Sequence, residues 1–330
     1  MKITRERLKY FLNNAEGKKI AVIGDVMLDK YVYGDINRIS PEAPVPVVDI
    51  QKTEYKLGGA ANVAHNIKAL GAEPLLIGVI GNDHDSSHYL SVMQDMGLVT
   101  AGIIRDKSRS TTTKTRVIVS SQHVLRIDHE LKSDIDAGTQ NKILEVFKKN
   151  LNNITSVVLQ DYNKGVLSVN LIKNILAICR KSRKPVYVDP KFQNFFEYRG
   201  VTVFKPNRKE TGDVLGIKVD GDKSAASAGK EIIRRIKCKY LILTRGDKGM
   251  MLFRKSNGRV LIKNMPTKAR HVADVSGAGD TVISTIAVML AGGAVIEEAA
   301  EIANHAAGIV CGEVGIIPIY RKSLIESFSE

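Results

Sequence analysis

The sequence predicts an α/β protein with an open, mostly parallel, doubly wound sheet that is flanked by helices. Short, nearly continuous apolar runs recur along the 330 residues, as expected for strands that are buried on both faces. Segments with helical periodicity separate these runs, which favours a parallel sheet. No internal repeat, low-complexity tract or linker divides the chain, so we expect one domain over residues 1–330.

The predicted elements alternate along the chain. Strands are predicted at 19–23, 75–80, 156–159, 185–188, 201–204 and 240–244, and helices at 59–70, 84–96, 136–150, 169–181, 225–236, 281–291 and 296–311. Ligands bind at the carboxyl ends of the strands in such sheets. We therefore expect the polar residues that follow the strands to lie along one edge, namely Asp25, Asp161, Asp189, Lys205, Asn207 and Thr244.

Two segments do not follow this alternation. Residues 32–56 contain three prolines among alternating apolar residues, and residues 101–129 contain alternating Thr and Val. Both patterns are typical of exposed strands or hairpins. We interpret the two segments as a small β lid outside the main sheet, with edges that need covering.

The composition disfavours several classes of function. The 49 basic and 35 acidic residues give a net charge of +14, but the cations are spread along the chain. Aromatic residues make up only 5% and Trp is absent, so stacking platforms for nucleic acid are not expected. A positive field suits small anionic substrates better. We therefore predict no nucleic-acid partner.

The cellular context is also predicted from composition. No apolar run reaches the ~18 residues that span a bilayer, and the charged N-terminal segment does not resemble a secretory signal. Cys179, Cys238 and Cys311 lie far apart and form no metal-ligand pair. Unpaired cysteines are typical of a reducing compartment. The sequence thus predicts a cytoplasmic protein without a membrane segment.

The segment from Asp274 to Thr281 carries the strongest chemical signal. Gly277, Ala278 and Gly279 let backbone N–H groups approach an anion closely, and the apolar run that follows predicts a buried helix. Asp280 falls in the first turn, where its carboxylate can take a proton from a hydroxyl beside a bound phosphoryl group. The alternative is a glycine turn with Asp280 only complementing the helix dipole.

Two other nucleotide-binding patterns are absent from the sequence. The first predicted strand is followed by Gly24-Asp25-Val26 and not by Gly-x-Gly-x-x-Gly, which argues against a nicotinamide-dependent oxidoreductase. No Gly-x-x-x-x-Gly-Lys-Ser/Thr occurs, which excludes a P-loop enzyme.

Four segments resemble the signatures of the PfkB (ribokinase-like) sugar kinases. The C-terminal signature Asp-x-x-Gly-Ala-Gly-Asp matches 274–280, with Val275 where many members have Thr. Residues 58–62 resemble Gly-Gly-x-x-x-Asn, with one residue fewer between Gly and Asn. Residues 207–210 match Asn-x-x-Glu, and residues 244–249 match Thr-x-Gly-x-x-Gly. The resemblance implies a ribokinase-like fold and an ATP- and Mg²⁺-dependent sugar kinase.

The resemblance also implies roles for individual residues. Asp280 would be the catalytic base, and Gly277, Ala278 and Gly279 the anion hole. The implied substrate-binding residues are Asp29, Gly58, Gly59, Asn62, Arg116, Lys164 and Lys191. The implied nucleotide-binding residues are Asn207, Arg208, Lys209, Glu210, Thr244, Gly246, Gly249 and Asn304, of which Asn207 and Glu210 would position Mg²⁺ through water.

Each of these roles has a structural alternative. Asp29 suits a turn, Asn304 suits helix packing, and Asn207 with Glu210 suits a capping box. Arg208 and Lys209 suit a solvated surface, as do the individual cations of the lid and of the strand-end loops.

Further strings extend a narrower resemblance over essentially the whole chain. Residues 24–31, 38–47 and 161–165 closely resemble the heptose 7-phosphate kinases of this family. This implies phosphorylation of the anomeric hydroxyl of D-glycero-β-D-manno-heptose 7-phosphate to heptose 1,7-bisphosphate, a step toward ADP-heptose and lipopolysaccharide, without a fused nucleotidyltransferase. The family also implies a homodimer formed through the lid and a monovalent cation near the anion-hole loop.

Three other functions stay open from the residues alone. The nearest is a PfkB-type kinase for another sugar phosphate or a nucleoside. The second is a catalytically silent sugar-binding regulator, and the third is a nucleic-acid-binding protein.

Overall fold

A nine-stranded sheet forms the centre of the computed structural model, which describes residues 3–256, 258–268, 273–313 and 315–328. The strands of the described chain are β1 (Lys19–Gly24), β2 (Val26–Ile39), β3 (Pro46–Gly59), β4 (Glu73–Ile80), β5 (Ile103–Arg105), β6 (Thr113–Val119), β7 (Gln122–His129), β8 (Ile154–Gln160), β9 (Val186–Asp189), β10 (Val203–Phe204), β11 (Tyr240–Thr244), β12 (Met250–Ser256) and β13 (Arg259–Met265).

Helices cover both faces of this sheet. They are α1 (Arg5–Ala15), α2 (Ala60–Ala69), α3 (His84–Asp95), α4 (Ala137–Asn150), α5 (Val169–Lys181), α6 (Arg208–Leu215), α7 (Asp222–Ile236), α8 (Ala278–Ala291), α9 (Ile296–Val310) and α10 (Arg321–Glu326), with a 3₁₀ turn at Gly246–Lys248. Among the described residues, none of these helices combines the length and apolar character needed to cross a membrane.

The main sheet has the order β13-β12-β11-β10-β9-β8-β1-β4-β5. All neighbours from β11 to β5 pair in parallel, and β12 and β13 pair antiparallel at one edge. The predicted mostly parallel, doubly wound sheet is therefore confirmed. The β12–β13 hairpin was not predicted from the sequence.

The apolar strands are explained by the two cores that the sheet separates. In β1, Ile20 and Val22 pack into a cluster with α1, α2 and α8, whereas Ala21 and Ile23 pack into a second cluster with α4, α5 and α7. Successive side chains of a strand point to opposite faces. A strand that is covered on both faces is therefore apolar at every position and lacks the alternation of apolar and polar residues seen in half-exposed strands.

A second sheet of four strands, in the order β3-β2-β6-β7, lies outside the main one. The β2–β3 hairpin covers the predicted segment 32–56 and extends it at both ends. The assignment of 101–129 to this sheet was wrong for its first part, because Ile103–Arg105 pairs in parallel with β4 at the edge of the main sheet. A strand of three residues has too little pattern to reveal which sheet it joins.

The contact between α7 and β12 gives a stability prediction. A Cβ added at Gly229 of α7 would overlap the ring of Phe253, whereas a Cβ at Gly138 of α4 would lie 3.4 Å from Asp136 Oδ1, an ordinary contact. Ala in place of Gly favours a helix by up to ~1 kcal/mol, but overpacking costs about 1–3 kcal/mol.

We therefore expect Gly229→Ala to lower the free energy of unfolding and the control Gly138→Ala to keep or raise it. Urea denaturation measures both values. Equal effects of the two substitutions would contradict the close packing of α7 on β12.

Candidate active site

A cavity of about 660 Å³ opens at the carboxyl ends of the central strands, beside the first turn of α8. Its lining includes predicted catalytic, anion-hole and nucleotide-binding residues, namely Asn207, Glu210, Thr244, Gly246, Gly249, Gly277, Ala278, Gly279, Asp280 and Asn304. Of the predicted substrate-binding residues, Lys191 lines it as well. Residues from opposite ends of the sequence meet here because parallel strands deliver their carboxyl ends to one edge.

The first turn of α8 can accept an anion at this cavity. Gly277 is the N-cap in the left-handed conformation, with φ of 80°, and this favours glycine. Its absent Cβ would lie 3.1 Å from Asn62 Nδ2, so α2 and α8 approach closely at this point. The first turn of a helix leaves N–H groups without intrahelical partners, and these groups face negative charge favourably.

Asp280 lies in this turn and is 3% exposed. Its Oδ2 accepts a hydrogen bond from Asn62 Nδ2 at 2.8 Å, and its Oδ1 accepts from Gln160 Nε2 at 3.0 Å and from Tyr162 Oη at 2.8 Å. Burial and the nearby Asp189 raise the pKa of the Asp280 carboxyl to about 6, and the hydrogen bonds from Asn62 and Tyr162 and the charge of Lys205 oppose the rise. A carboxyl with such a pKa is well suited to general-base catalysis near neutral pH.

A buried ion pair lies next to Asp280. Lys205 Nζ is 3.0 Å from Asp189 Oδ2, and the same Asp189 oxygen accepts a hydrogen bond from Gln160 Nε2 at 3.2 Å. A Cβ on Gly279 would lie 3.4 Å from Lys205 Nζ, so the glycine keeps the backbone close to the ammonium group. The Lys205 ammonium group is therefore held beside the first turn of α8, and Asp189 balances its charge.

Asn207 and Glu210 form a complete capping box at the start of α6. Asn207 Oδ1 accepts from the Glu210 N–H at 2.8 Å, and Glu210 Oε2 accepts from the Asn207 N–H at 2.8 Å. The other carboxylate oxygen of Glu210 pairs with Lys191 Nζ. Both residues line the cavity, so the capping arrangement and a role at a ligand coexist.

The donor set fits Mg²⁺ held mainly by water and nucleotide oxygens. Among the described residues, no group of three or more His, Cys, Asp or Glu side chains is placed to hold a metal ion. Mg²⁺ keeps several waters and needs only one or two carboxylates when it binds with substrate phosphates. Glu210 supplies a carboxylate at the cavity, which is consistent with that mode.

Apart from Lys191, the residues expected to bind the substrate lie outside the cavity lining. Asp29 is buried and pairs with Arg116 of β6, and a Cβ on Gly58 would overlap the Asp29 carboxylate. Gly59 has φ of 61° and caps α2, which carries Asn62. These residues lie where the second sheet joins the main one, beside the Asn62 that binds Asp280.

Three further cations are placed less favourably for a ligand. Lys164 Nζ is 2.6 Å from Glu130 Oε2. Arg208 and Lys209 are exposed on α6 and do not line the cavity. Asn304, which was predicted to bind the nucleotide, lines the cavity, and its Nδ2 donates to the Pro266 carbonyl at 2.7 Å, a contact that suits the alternative packing role.

Two residues of this site were missed from the sequence. Gln160 and Tyr162 both bind Asp280, and both follow the apolar core of β8. Asp161 was placed at this edge, but its carboxylate turns away and accepts from Tyr198 Oη at 2.7 Å. The available signal was position alone, since polar residues at the end of a central strand reach the ligand edge.

The loop that carries Tyr162 is fixed by Asp25. The buried Asp25 carboxylate accepts hydrogen bonds from the N–H groups of Tyr162, Lys164 and Val166, at 2.7, 3.1 and 3.1 Å. Burial raises the pKa of the Asp25 carboxyl, and the three N–H donors oppose that rise. Asp25 is thus a structural acceptor that orders the loop beside Asp280.

We expect Asp25→Asn to lower the free energy of unfolding by about 1–3 kcal/mol, because the amide turns a donor toward buried N–H groups. Urea denaturation measures the loss, with the exposed Asp95→Asn as the control for a surface carboxylate. A loss no greater than that of the control would contradict the anchoring role.

Relatives of known name match nearly the whole chain. Relatives named "Bifunctional protein HldE" are 38% identical over 323 residues in Geobacter sulfurreducens and 37% identical over 298 residues in Helicobacter pylori. These matches cover 98% and 90% of this chain but only 65% and 64% of the relatives. The chain therefore spans slightly less than two thirds of their length.

Solved structures share the fold at low sequence identity. Arabidopsis thaliana ribokinase complexed with ribose and ATP has a TM-score of 0.74 and 18% identity, and covers 96% of this chain and 99% of its own. Escherichia coli phosphofructokinase-2 in complex with fructose-6-phosphate has a TM-score of 0.74 and 16% identity, with 95% and 98% covered. The fold is therefore ribokinase-like. The family described as "pfkB family carbohydrate kinase" matches residues 17–322, and the chain belongs to this family.

Proposed function

We propose that the protein transfers the γ-phosphoryl group of ATP to the anomeric hydroxyl of D-glycero-β-D-manno-heptose 7-phosphate and releases heptose 1,7-bisphosphate. The observation that carries the proposal is the position of Asp280. A buried carboxylate with a pKa of about 6 shares a cavity with the N-terminus of α8. This pairs a proton acceptor with an anion-binding turn, which phosphoryl transfer to a hydroxyl requires.

In this mechanism, Asp280 takes the proton of the acceptor hydroxyl while the hydroxyl oxygen attacks the γ-phosphorus. The new O–P bond forms as the bond from the γ-phosphorus to the bridging oxygen of ATP breaks, and ADP leaves with that oxygen. Backbone N–H groups of Gly277–Gly279 stabilise the charge that develops on the transferred group, and Lys205 adds a nearby positive charge.

Nucleotide and cation binding follow from the same cavity. Thr244, Gly246, Gly249 and Asn304 line the cavity and would bind ATP. Mg²⁺ would lie near Glu210 and Asn207, bound through water, where it would neutralise charge on the nucleotide phosphates. A structural neighbour, Escherichia coli phosphofructokinase-2, was solved in complex with potassium, which supports a monovalent cation as part of the proposal.

The choice of a heptose phosphate rests on the relatives named HldE and on the resemblance of residues 24–31, 38–47 and 161–165. The sugar would bind where the second sheet meets the main one, between Asp29 and Asn62. Arg116, Lys164 and Lys191 are the proposed cations for its phosphate. All three are paired with carboxylates, so a substrate phosphate would have to share or replace those partners.

The pH dependence follows from the state of the base. Asp280 accepts a proton only when it is ionised, and its pKa is about 6. Activity should therefore fall as the pH drops through about 6, and the acid limb should reach a plateau above it. Cytoplasmic pH lies on that plateau, consistent with the proposed cytoplasmic location.

We expect Asp280→Asn to lower kcat by ~10²-fold or more, because the amide keeps the shape but cannot take a proton. ATP consumption with heptose 7-phosphate measures this, beside fructose 6-phosphate and ribose as alternative acceptors. The exposed Asp95→Asn serves as the matched control. Near-normal turnover by Asp280→Asn would reject the assigned base.

The substrate panel also separates the alternatives. Preferred use of fructose 6-phosphate or ribose would identify a PfkB-type kinase with another substrate. Absence of turnover with every acceptor would favour a sugar-binding regulator.

We also propose a homodimer that is formed through the second sheet, acting as a lid over the sugar. All residues of the edge strand β7 are exposed, including Leu125 and Ile127 at 54% and 52%. An apolar exposed edge strand needs a partner.

We expect the double substitution of Leu125 and Ile127 to Lys to shift the protein from dimer to monomer in sedimentation equilibrium. The control is Leu261→Lys on β13, because Leu261 is 47% exposed in the main sheet. A wild-type protein that sediments at the 36.2 kDa chain mass would contradict the proposed dimer.

A further inference from the structure

The hydrogen bonds to Asp280 leave little room for another donor. An ionised carboxylate offers about four acceptor positions, two on each oxygen. Oδ1 already accepts from Gln160 and Tyr162, whereas Oδ2 accepts from Asn62. One position is left, and it is on Oδ2.

The three donors come from separate parts of the fold. Asn62 belongs to α2, Gln160 ends β8, and Tyr162 lies in the loop that Asp25 fixes. Contacts from three directions hold the plane of the Asp280 carboxylate in one orientation. Because all three donors are neutral, they orient the base without adding a charge that would keep it permanently ionised.

Tyr162 differs from the other two donors. Of the three, it alone lines the cavity together with Asp280. Its ring also lies under Lys191 Nζ at 5.2 Å, and Lys191 pairs with Glu210. The tyrosine therefore contacts both the base and the cation beside the proposed metal-binding residue.

The surroundings of Tyr162 keep its phenol protonated. Burial and the carboxylates of Asp280 and Asp189 raise the pKa of the Tyr162 phenol well above its usual value. Two cations interact with Asp280. Lys205 lowers the pKa of the Asp280 carboxyl, and the negative charge of Asp280 raises the pKa of Lys191. The phenol is thus a hydrogen-bond donor throughout the physiological range, and it is not itself the proton acceptor.

We propose that Tyr162 is a positioning residue that occupies Oδ1 of Asp280 and thereby makes Oδ2 the atom that takes the proton from the acceptor hydroxyl. The inference rests on the proposed function. In the step, the hydroxyl proton moves to Oδ2, the hydroxyl oxygen bonds to the γ-phosphorus, and ADP leaves with the electrons of the broken O–P bond. Tyr162 keeps its own proton from start to finish.

The test is the pH profile of Tyr162→Phe with heptose 7-phosphate and ATP at saturation. The lost donor stabilised the ionised base, so the acid limb of kcat should move up by about one pH unit. We expect kcat on the plateau to fall about tenfold, because the carboxylate loses one orienting contact, while the KM for ATP stays unchanged.

Tyr198→Phe is a matched control. Tyr198 is buried and donates to the Asp161 carboxylate at 2.7 Å, so the variant loses the same group from the same type of bond. It should leave the acid limb where it is in the wild type. Equal displacement in both variants, or none in Tyr162→Phe, would overturn the inference.

A second variant keeps the test decisive if Tyr162→Phe does not fold. Replacement of Tyr162 by 3-fluorotyrosine retains the ring and strengthens the donor, so the acid limb should move down; an unmoved limb would count against the inference. If the wild type phosphorylates none of the sugars, the proposed function fails. If the wild type is active and only these shifts are missing, the positioning role alone fails.

Discussion

The site depends on one interaction, the binding of a buried carboxylate by neutral hydrogen-bond donors. Asp280 is almost fully removed from solvent, and burial of an unpaired charge is costly. Asn62, Gln160 and Tyr162 offset part of that cost with hydrogen bonds. A direct ion pair with Lys205 would have lowered the pKa of Asp280 further, but Lys205 pairs with Asp189. Asp280 therefore has a pKa of about 6, close enough to neutral pH for the carboxylate to take up and release a proton.

The fold supplies this arrangement by bringing distant parts of the chain together. Asn62 and Asp280 are 218 residues apart, yet their side chains are 2.8 Å apart. The parallel order of β1, β8 and β9 places Asp25, Gln160 and Asp189 at one edge of the sheet. The close approach of α2 and α8 at Gly277 brings Asn62 and Asp280 to the same edge. Each of these contacts requires the parallel sheet, so the chemistry depends directly on the topology.

The sequence predicted those features that leave a local pattern. The central strands were found because burial on both faces makes them continuously apolar, and the first turn of α8 was found because small residues precede a buried helix. Helix α8 begins at Ala278, three residues earlier than predicted, since Gly277 is its N-cap. The Asn207–Glu210 capping box was also recognisable from spacing.

Other features depend on long-range contacts that no local pattern records. The roles of Gln160 and Tyr162 depend on where α8 lies, and neither residue type indicates a bond to Asp280. The pairing of Arg116 with Asp29 and of Lys164 with Glu130 joins segments that are distant in sequence. The sequence therefore does not reveal that a cation of this kind is paired, because the carboxylate that pairs with it comes from a distant segment.

Titration of the Asp280 side-chain carboxyl by carbon NMR tests the central claim most directly. The signal can be assigned by comparing the spectra of ¹³C-aspartate-labelled wild type and Asp280→Asn. The account predicts a midpoint near pH 6, because burial outweighs the hydrogen bonds and the nearby cation. A midpoint near the ordinary aspartate value of about 3.9 would show that the carboxylate is neither buried nor held as described, and would contradict the account.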